Sequence, residues 1–175
     1  MISWRVTKYN PKHRNEEDVY LNDEWTSCHD IGKLFDGKVF TVNDYLAIEN
    51  AYIEVVLSFM KNVNITTLKV KCLEKYNESV APKDTSLGYT TEMIKLYVEL
   101  HEDSILGTED IQNLCRLVLR EQLWCKLEND HKMFVHFGYD YYMYIGCLLK
   151  PENITDLIKG TGLFMERIES PYYEV

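Results

Sequence analysis

The segment "KMFVHFGYDYYMYIGC", residues 132–147, carries the strongest indication of fold in the chain. Large apolar and aromatic side chains recur on both sides of Gly138, and alternation with a period of two is typical of β-strands. A glycine between two such runs marks a turn or a bulge. The segment therefore predicts two strands, with Val135 and His136 on opposite faces of the first.

Four further segments have the alternation or the β-branched content of strands. They are "ISWRVTKY" (2–9), "ITTLKVKCLEKY" (65–76), "LWCKLEN" (123–129) and "GLFMERI" (162–168). Asn129-Asp130 follows the third of these segments at once and predicts a turn into residues 132–147.

Helices are predicted between these strands from capping residues and apolar spacing. Thr41 with Asp44 forms a variant of the capping box before a helix over 42–62. A threonine cap begins a helix within 90–103, and Gly107-Thr108 opens another whose apolar stripe runs to Leu119. Pro151 and Gly160 bracket a fourth, short helix.

The order of these elements predicts an α+β fold, with a mostly antiparallel sheet and helices packed on one face. Residues 23–40 fit neither period, and we expect irregular structure that ends in a turn at Asp36-Gly37. A chain of 175 residues suits a single domain, residues 1–175. With helices on one face, the aromatic opposite face would stay exposed and bind a partner; the alternative is that helices cover both faces.

The charge of the chain bears on its partners. The net charge is −9, and the longest basic cluster, at residues 8–14, is followed at once by Glu16, Glu17 and Asp18. Such a field repels a phosphate backbone, so we expect no nucleic-acid partner. It favours a basic protein partner, because complementary charge speeds encounter.

The cellular compartment is predicted from targeting segments, membrane-spanning segments and cysteine spacing. The first ten residues have no apolar core of a signal peptide, and no apolar run reaches membrane-spanning length, so we expect no membrane partner. The five cysteines are odd in number and widely spaced, which is typical of free thiols in the cytoplasm.

Two constellations carry candidate chemistry. His136 and Asp140 are a possible general base and its orienting carboxylate. In one continuous strand they would lie roughly 13 Å apart, which a turn at Gly138 would shorten. The more ordinary interpretation is a strand histidine and a turn aspartate. The sequence therefore predicts no catalytic residue, with this pair as the alternative.

The second constellation is Cys28-His29-Asp30, whose residue types suit a nucleophile with its base or a metal site. Adjacent residues rarely point at one atom, and no second Cys/His cluster has ligand spacing. We therefore expect no metal and no cofactor.

Arg116 and Arg120, one helical turn apart, suit an anion or, more simply, neighbouring carboxylates such as Glu121.

Two aromatic and acidic groups are the predicted partner-binding residues, because tyrosine and tryptophan dominate the energy of buried interfaces. They are Asp23, Glu24, Trp25 and Asp30 in the irregular segment, and Tyr139, Asp140, Tyr142 and Tyr144 in the aromatic one. The alternative for Trp25 is a plug at one end of the core.

The motifs "DEWTS", "LREQLWCKLE", "VHFGYDYYMYIG" and "SPYYEV" resemble those of a set of small uncharacterised bacterial proteins, over nearly the full chain. In size, acidity and aromatic α+β build the chain resembles, by type and not by motif, the immunity proteins of bacterial polymorphic-toxin systems. Those proteins inhibit a cognate toxin by binding it in the cytoplasm of the producing cell. The resemblance carries over no functional residue.

Three functions follow as hypotheses. The leading one is a cytoplasmic, immunity-like inhibitor that binds a basic toxin domain. The others are a small enzyme that uses His136, Asp140 and neighbouring tyrosines, and a structural or regulatory homodimer joined through the tyrosine-rich strands. No phosphate-binding loop, zinc-protease or serine-hydrolase motif is present.

Overall fold

The computed structural model describes residues 1–80, 85–148 and 154–173. The helices are α1 (Val42–Asn62), α2 (Thr91–Glu99), α3 (Thr108–Leu119) and α4 (Ile154–Leu157). The strands are β1 (Ile2–Thr7), β2 (Leu34–Phe35), β3 (Lys38–Val39), β4 (Thr67–Lys75), β5 (Ile105–Gly107), β6 (Leu123–Asn129), β7 (Met133–Phe137), β8 (Met143–Cys147) and β9 (Phe164–Glu166).

Seven strands form one sheet in the order β5-β4-β6-β7-β8-β1-β9, and every pairing between them is antiparallel. Strands β2 and β3 form a separate hairpin around Asp36-Gly37, where the sequence predicts a turn. The predicted α+β class with a mostly antiparallel sheet is confirmed.

The helix starts confirm the capping predictions. Thr41 Oγ1 accepts the backbone N–H of Asp44 at 3.2 Å, and the Asp44 carboxylate accepts the N–H of Thr41 at 2.9 Å. This reciprocal pair satisfies two N–H groups that the first turn of α1 leaves without helical partners. At α2 the cap is one-sided: the Thr90 hydroxyl accepts the N–H of Met93 at 3.2 Å. Pro151 lies outside the described residues.

The core lies between the sheet and the helices α1, α2 and α3. The sheet residues that face the helices alternate along each strand and are buried: Val6, Leu68, Val70, Cys125, Leu127, Val135 and Ile145. Helix α1 contributes Tyr45, Tyr52, Val55 and Phe59 to the same core. This alternation confirms that one face of the sheet packs on helices.

A buried ion pair joins α1 to the end of α3. Arg120 donates from Nε and Nη2 to the two carboxylate oxygens of Glu49, at 2.6 and 2.8 Å, and both side chains are almost fully buried. Arg116 lies 3.7 Å from the same carboxylate. Both arginines thus lie beside a carboxylate, as the sequence predicts, but that carboxylate is Glu49 on another helix and not Glu121.

The second face of the sheet is covered by the tail segment, residues 168–173. Ser3 Oγ donates to the carbonyl of Ile168 at 3.0 Å, and Ser170 Oγ lies 2.8 Å from His136 Nδ1. The rings of Tyr172 and Tyr173 pack on this face. The expectation of an exposed aromatic face was wrong, and so was its alternative of helices on both faces, because the chain returns as an extended segment.

None of the helices within the described parts of the chain is long and apolar enough to cross a membrane.

Candidate functional site: an acidic, aromatic cleft

A cleft of about 500 Å³ opens at the end of the sheet where three segments meet. These are the turn between β7 and β8, the residues that follow α3, and the end of β4 with the residue after it. Thr26 and Ser27 from the irregular segment and Tyr172 from the tail segment complete its walls. Five distant parts of the sequence, together with Tyr52 of α1, therefore build one concave surface, as is usual for binding sites.

The β7–β8 turn forms one wall. Asp140 and Tyr141 have φ angles of 52° and 61°, a left-handed conformation that is uncommon for a residue as large as tyrosine. The ring of Tyr141 is buried in the core, and its hydroxyl donates to the carbonyl of Leu119 at 2.8 Å. The hydroxyl of Tyr52 donates to the carbonyl of Tyr141. These anchors hold the left-handed turn in place.

The anchored turn presents its neighbours to solvent. Tyr139 is 84% exposed, more than any other exposed large hydrophobic side chain in the described parts of the chain. Asp140 beside it is also exposed. Backbone strain that persists because the surrounding structure fixes it is common at functional sites. Here it places one aromatic ring and one carboxylate at the edge of the cleft.

The cleft is negative. Glu74, Glu121 and Asp140 line it, and no lysine, arginine or histidine is among the described residues that do so. Tyr76, half exposed, adds a second accessible ring. Burial, with a contribution from the charge of Glu74, raises the pKa of Tyr76 above its usual value. Carboxylates beside aromatic faces are the chemistry that attracts a lysine or arginine side chain.

The floor of the cleft is fixed by the indole of Trp124. Its Nε1 donates to the carbonyl of Phe137 at 2.7 Å, which ties β6 to the end of β7. The ring lies 5.9 Å from that of Tyr172, in the tail segment. One wall of the cleft therefore depends on the position of the tail segment.

Of the predicted partner-binding residues, three line the cleft: Tyr139, Asp140 and Tyr142. Tyr142 is half buried, with the guanidinium of Arg5 5.0 Å from the centre of its ring. Tyr144 does not line the cleft; it is 9% exposed and lies behind the ring of Tyr172.

The residues predicted from the irregular segment have mainly structural contacts. Trp25 stacks on Phe40 with ring centres 4.4 Å apart, and Lys8 Nζ lies 4.1 Å from its ring. Lys8 also donates to the carboxylate of Glu24 at 3.1 Å. Burial lowers the pKa of Lys8 to about 8, although Glu24 opposes that shift. This packing favours the interpretation of Trp25 as a plug of the core.

Asp30 and Asp23 differ in their surroundings. The Asp30 carboxylate accepts the N–H groups of Thr26 and Ser27 and pairs with Lys33 at 2.7 Å, so it caps a short 3-10 turn at Cys28–Asp30. Asp23 is exposed. Neither residue lines the cleft as the structure describes it.

The alternative catalytic pair is not assembled. His136 is 2% exposed on the second face of the sheet, stacked on Phe134 and held by Ser170. Asp140 stands exposed at the cleft edge, and His136 does not line that cleft. Burial, helped by the charge of Lys126, lowers the pKa of His136 to about 4. The two side chains lie in separate environments.

A second cluster lies beside the cleft. Cys28 Sγ is 3.8 Å from His29 Nδ1, and His29 Nε2 is 3.6 Å from a carboxylate oxygen of Glu121. Ser27 Oγ donates to the other oxygen of Glu121 at 2.5 Å. Burial raises the pKa of the Cys28 thiol to about 12, and Glu121 adds to that rise.

Sequence reasoning missed Glu74, Tyr76, Glu121 and Trp124 as cleft residues. Glu121 has a φ of 55°, directly after α3, a backbone feature that no sequence pattern displays. Trp124 and Tyr76 sit in segments predicted as strands, where an aromatic side chain is ordinary. A rule that favours aromatic residues at strand ends would have found both.

Comparison with protein-family models, curated proteins and solved structures found no match to this chain.

Proposed function

We propose that the protein is an immunity-like inhibitor, which binds a basic toxin domain in the cytoplasm and receives a lysine or arginine of that partner in the cleft. One observation carries the proposal: three carboxylates and two exposed tyrosines surround a concave site whose described lining holds no cationic residue. A cation entering the site exchanges water for carboxylate hydrogen bonds and aromatic faces.

The net charge of −9 supports the same partner class. A long-range negative field speeds encounter with a basic surface, while the local carboxylates select where the cation settles. The same charges repel phosphate groups, so nucleic acid is a poor partner for this site. Two alternatives stay open as predictions. One is a small enzyme, although His136 and Asp140 lie in separate environments. The other is a homodimer, which light scattering would distinguish from a monomer.

The test begins with the gene encoded immediately upstream, expressed alone and together with this protein. We expect that gene to arrest growth alone, growth to recover on co-expression, and the two proteins to co-purify. A harmless neighbour that does not co-purify would contradict the proposal for that pair.

The cleft itself is tested with two variants of equal charge. The cleft variant combines Glu74→Gln, Glu121→Gln and Asp140→Asn. The control variant combines Glu16→Gln, Glu17→Gln and Glu54→Gln, which are exposed carboxylates outside the cleft. Each removes three negative charges, so any effect of net charge alone is the same in both.

We expect the cleft variant to weaken binding by more than about tenfold, because close charge pairs at interfaces contribute more than rim charges. The control variant should change the dissociation constant by less than about threefold, mainly through the association rate. Calorimetry or surface plasmon resonance gives both numbers. Equal weakening in the two variants would show that the cleft is not the binding site.

A further inference from the structure

We propose that Cys28, His29 and Glu121 form a binding site for one divalent cation of the zinc type. Each residue offers one ligand atom, and these three atoms lie within 4.8 Å of one another. No metal was expected from the sequence, in which Glu121 is 92 positions beyond His29. Only the fold brings the three residues together. Glu121 also lines the cleft, but this inference rests on the positions of the three ligand atoms and not on the proposed function.

The distances suit a small change of side-chain position on binding. In a tetrahedral zinc site, sulfur, nitrogen and oxygen ligands lie about 3.3–3.6 Å from one another, given the usual bond lengths. The sulfur lies 3.8 Å from one nitrogen of His29, and the carboxylate lies 3.6 Å from the other. Rotation of the imidazole would direct one nitrogen between the two remaining ligands.

The donor set selects the kind of ion. A thiolate and an imidazole favour zinc and its neighbours in the first transition row, whereas calcium and magnesium prefer oxygen ligands. A single carboxylate beside a thiol and an imidazole therefore disfavours the hard cations. Three protein ligands leave a fourth position for water or another ligand.

The surroundings position the ligands as in metal sites. Ser27 Oγ holds one oxygen of Glu121 at 2.5 Å and leaves the other facing His29. Hydrogen bonds of this kind orient a ligating carboxylate. The capping box between Ser27 and Asp30 fixes the 3-10 turn that carries Cys28 and His29. Asp30, which follows Cys28 and His29 in the sequence, is engaged in that cap.

Solvent has access to the cluster from one side. The side chains of His29 and Glu121 are 31% and 45% exposed, and Ser27 and Glu121 line the cleft. Cys28 is buried beneath them. An ion can therefore enter beside the imidazole and displace the thiol proton, because metal coordination deprotonates a cysteine even where burial favours the neutral thiol.

The experiment titrates the full-length, metal-free protein with zinc chloride in competition with a chromogenic chelator, and with cobalt(II) chloride as a spectroscopic probe. We expect one zinc ion per chain. The cobalt form should show the charge-transfer band of a thiolate ligand and the intense visible bands of a four-coordinate ion. No partner protein is needed for either measurement.

Three variants locate the site: Cys28→Ser, His29→Gln and Glu121→Gln. We expect each to weaken zinc binding by more than about tenfold, since loss of a ligand costs at least as much as loss of a group that orients one. Cys28→Ser must also remove the thiolate band. Because Cys28 is buried, its variant is checked for folding by circular dichroism, while the partly exposed His29 and Glu121 give variants that test the site independently.

The matched control is the double variant Cys72→Ser/His131→Gln, which removes an exposed cysteine and an exposed histidine outside the cluster. It should bind zinc as the native chain does. The proposal is overturned if the native chain binds no zinc, if His29→Gln and Glu121→Gln bind it unchanged, or if the cobalt spectrum lacks a thiolate band.

Discussion

The two faces of the sheet are buried by different means. On one face, three helices cover side chains that are almost all apolar, such as Leu127, Val135 and Ile145. On the other, the tail segment covers side chains that are aromatic or polar, among them Phe134 and His136. The first face is held by apolar packing, and the second by ring contacts and a few hydrogen bonds.

The two kinds of burial should contribute differently to the stability of the fold. Apolar burial scales with area and tolerates no voids, so the helix-covered face should dominate the free energy of unfolding. The tail-covered face buries polar groups whose partners must all be in place. One of them, His136 Nε2, has no hydrogen-bond partner in the described structure. Because Tyr172 forms part of the cleft wall, this more weakly held face is also the one connected to the candidate site.

The largest effect is expected on the helix-covered face. Leu127→Ala removes a fully buried side chain from the middle of β6. We expect the free energy of unfolding to fall by about 2–5 kcal/mol, from lost burial and the cavity left behind. Urea unfolding followed by circular dichroism measures the change.

The matched control for that variant is Leu34→Ala, since Leu34 is 65% exposed in the small β2–β3 hairpin. It should change stability by less than about 0.5 kcal/mol. If both leucine variants cost the same, the core is not where the burial pattern places it.

The second effect concerns pH on the tail-covered face. Burial and then Lys126 lower the pKa of His136 from 6.5 to about 4. The unfolded chain therefore binds the proton first as pH falls, so this contribution to stability is complete above about pH 6.5 and is lost between pH 6.5 and 4. We expect a loss of about 2–3 kcal/mol across that window.

The variant His136→Gln tests the assignment, because it cannot take up a proton there. Stability measured from pH 7.5 to 5 should fall less steeply in this variant than in the native chain. The groups that face the imidazole are Lys126, Glu128, Ser170, Tyr172 and Tyr173. His131→Gln, at an exposed turn, should keep the native pH dependence. An unchanged slope in His136→Gln would contradict the assignment.

The helix-covered face was predictable from the sequence, and the tail-covered face was not. Local patterns predict the helix-covered face: the capping pair Thr41 and Asp44, the apolar stripe of α3 and the alternation around Val135. The contact of Ser170 with His136 joins residues 34 positions apart, and that of Ser27 with Glu121 joins residues 94 apart. No local period encodes such contacts, because they depend on where an irregular segment returns.

The candidate site shows the same division. Tyr139 and Asp140 were predicted because an aromatic and acidic turn is visible in the sequence, and both line the cleft; Trp25, predicted for the same reason, does not. Its ring is surrounded by Phe40, Tyr45 and Tyr141, which only the fold brings together. Composition indicated the chemistry of the site, and the fold decided which residues can supply it.

A third, smaller effect is expected from the tail segment. Tyr172→Ala removes a ring that contacts Trp124 and Tyr144. We expect a loss of about 1–2 kcal/mol, less than a core truncation, because Tyr172 is only partly buried and each aromatic pair adds about 0.5–1.5 kcal/mol beyond burial. Binding of a hydrophobic dye should rise as the cleft wall opens. Tyr173→Ala, at a residue 50% exposed, is the control and should cost less.

The smallest effect on stability is expected at the cleft edge, where the effect on binding should be largest. Tyr139→Ser alters a side chain that is 84% exposed, so the free energy of unfolding should change by less than about 0.5 kcal/mol. Tyr141→Phe, two residues away, removes the hydroxyl that donates to the carbonyl of Leu119 and should cost about 1 kcal/mol.

In a binding assay with the proposed basic partner, the order reverses: Tyr139→Ser weakens the complex, and Tyr141→Phe leaves it nearly unchanged. The two variants together separate a residue that shapes the turn from one that the turn presents. If Tyr139→Ser destabilises the fold as much as Tyr141→Phe does, the exposed ring serves the fold, and the left-handed turn has no role in presenting a binding surface.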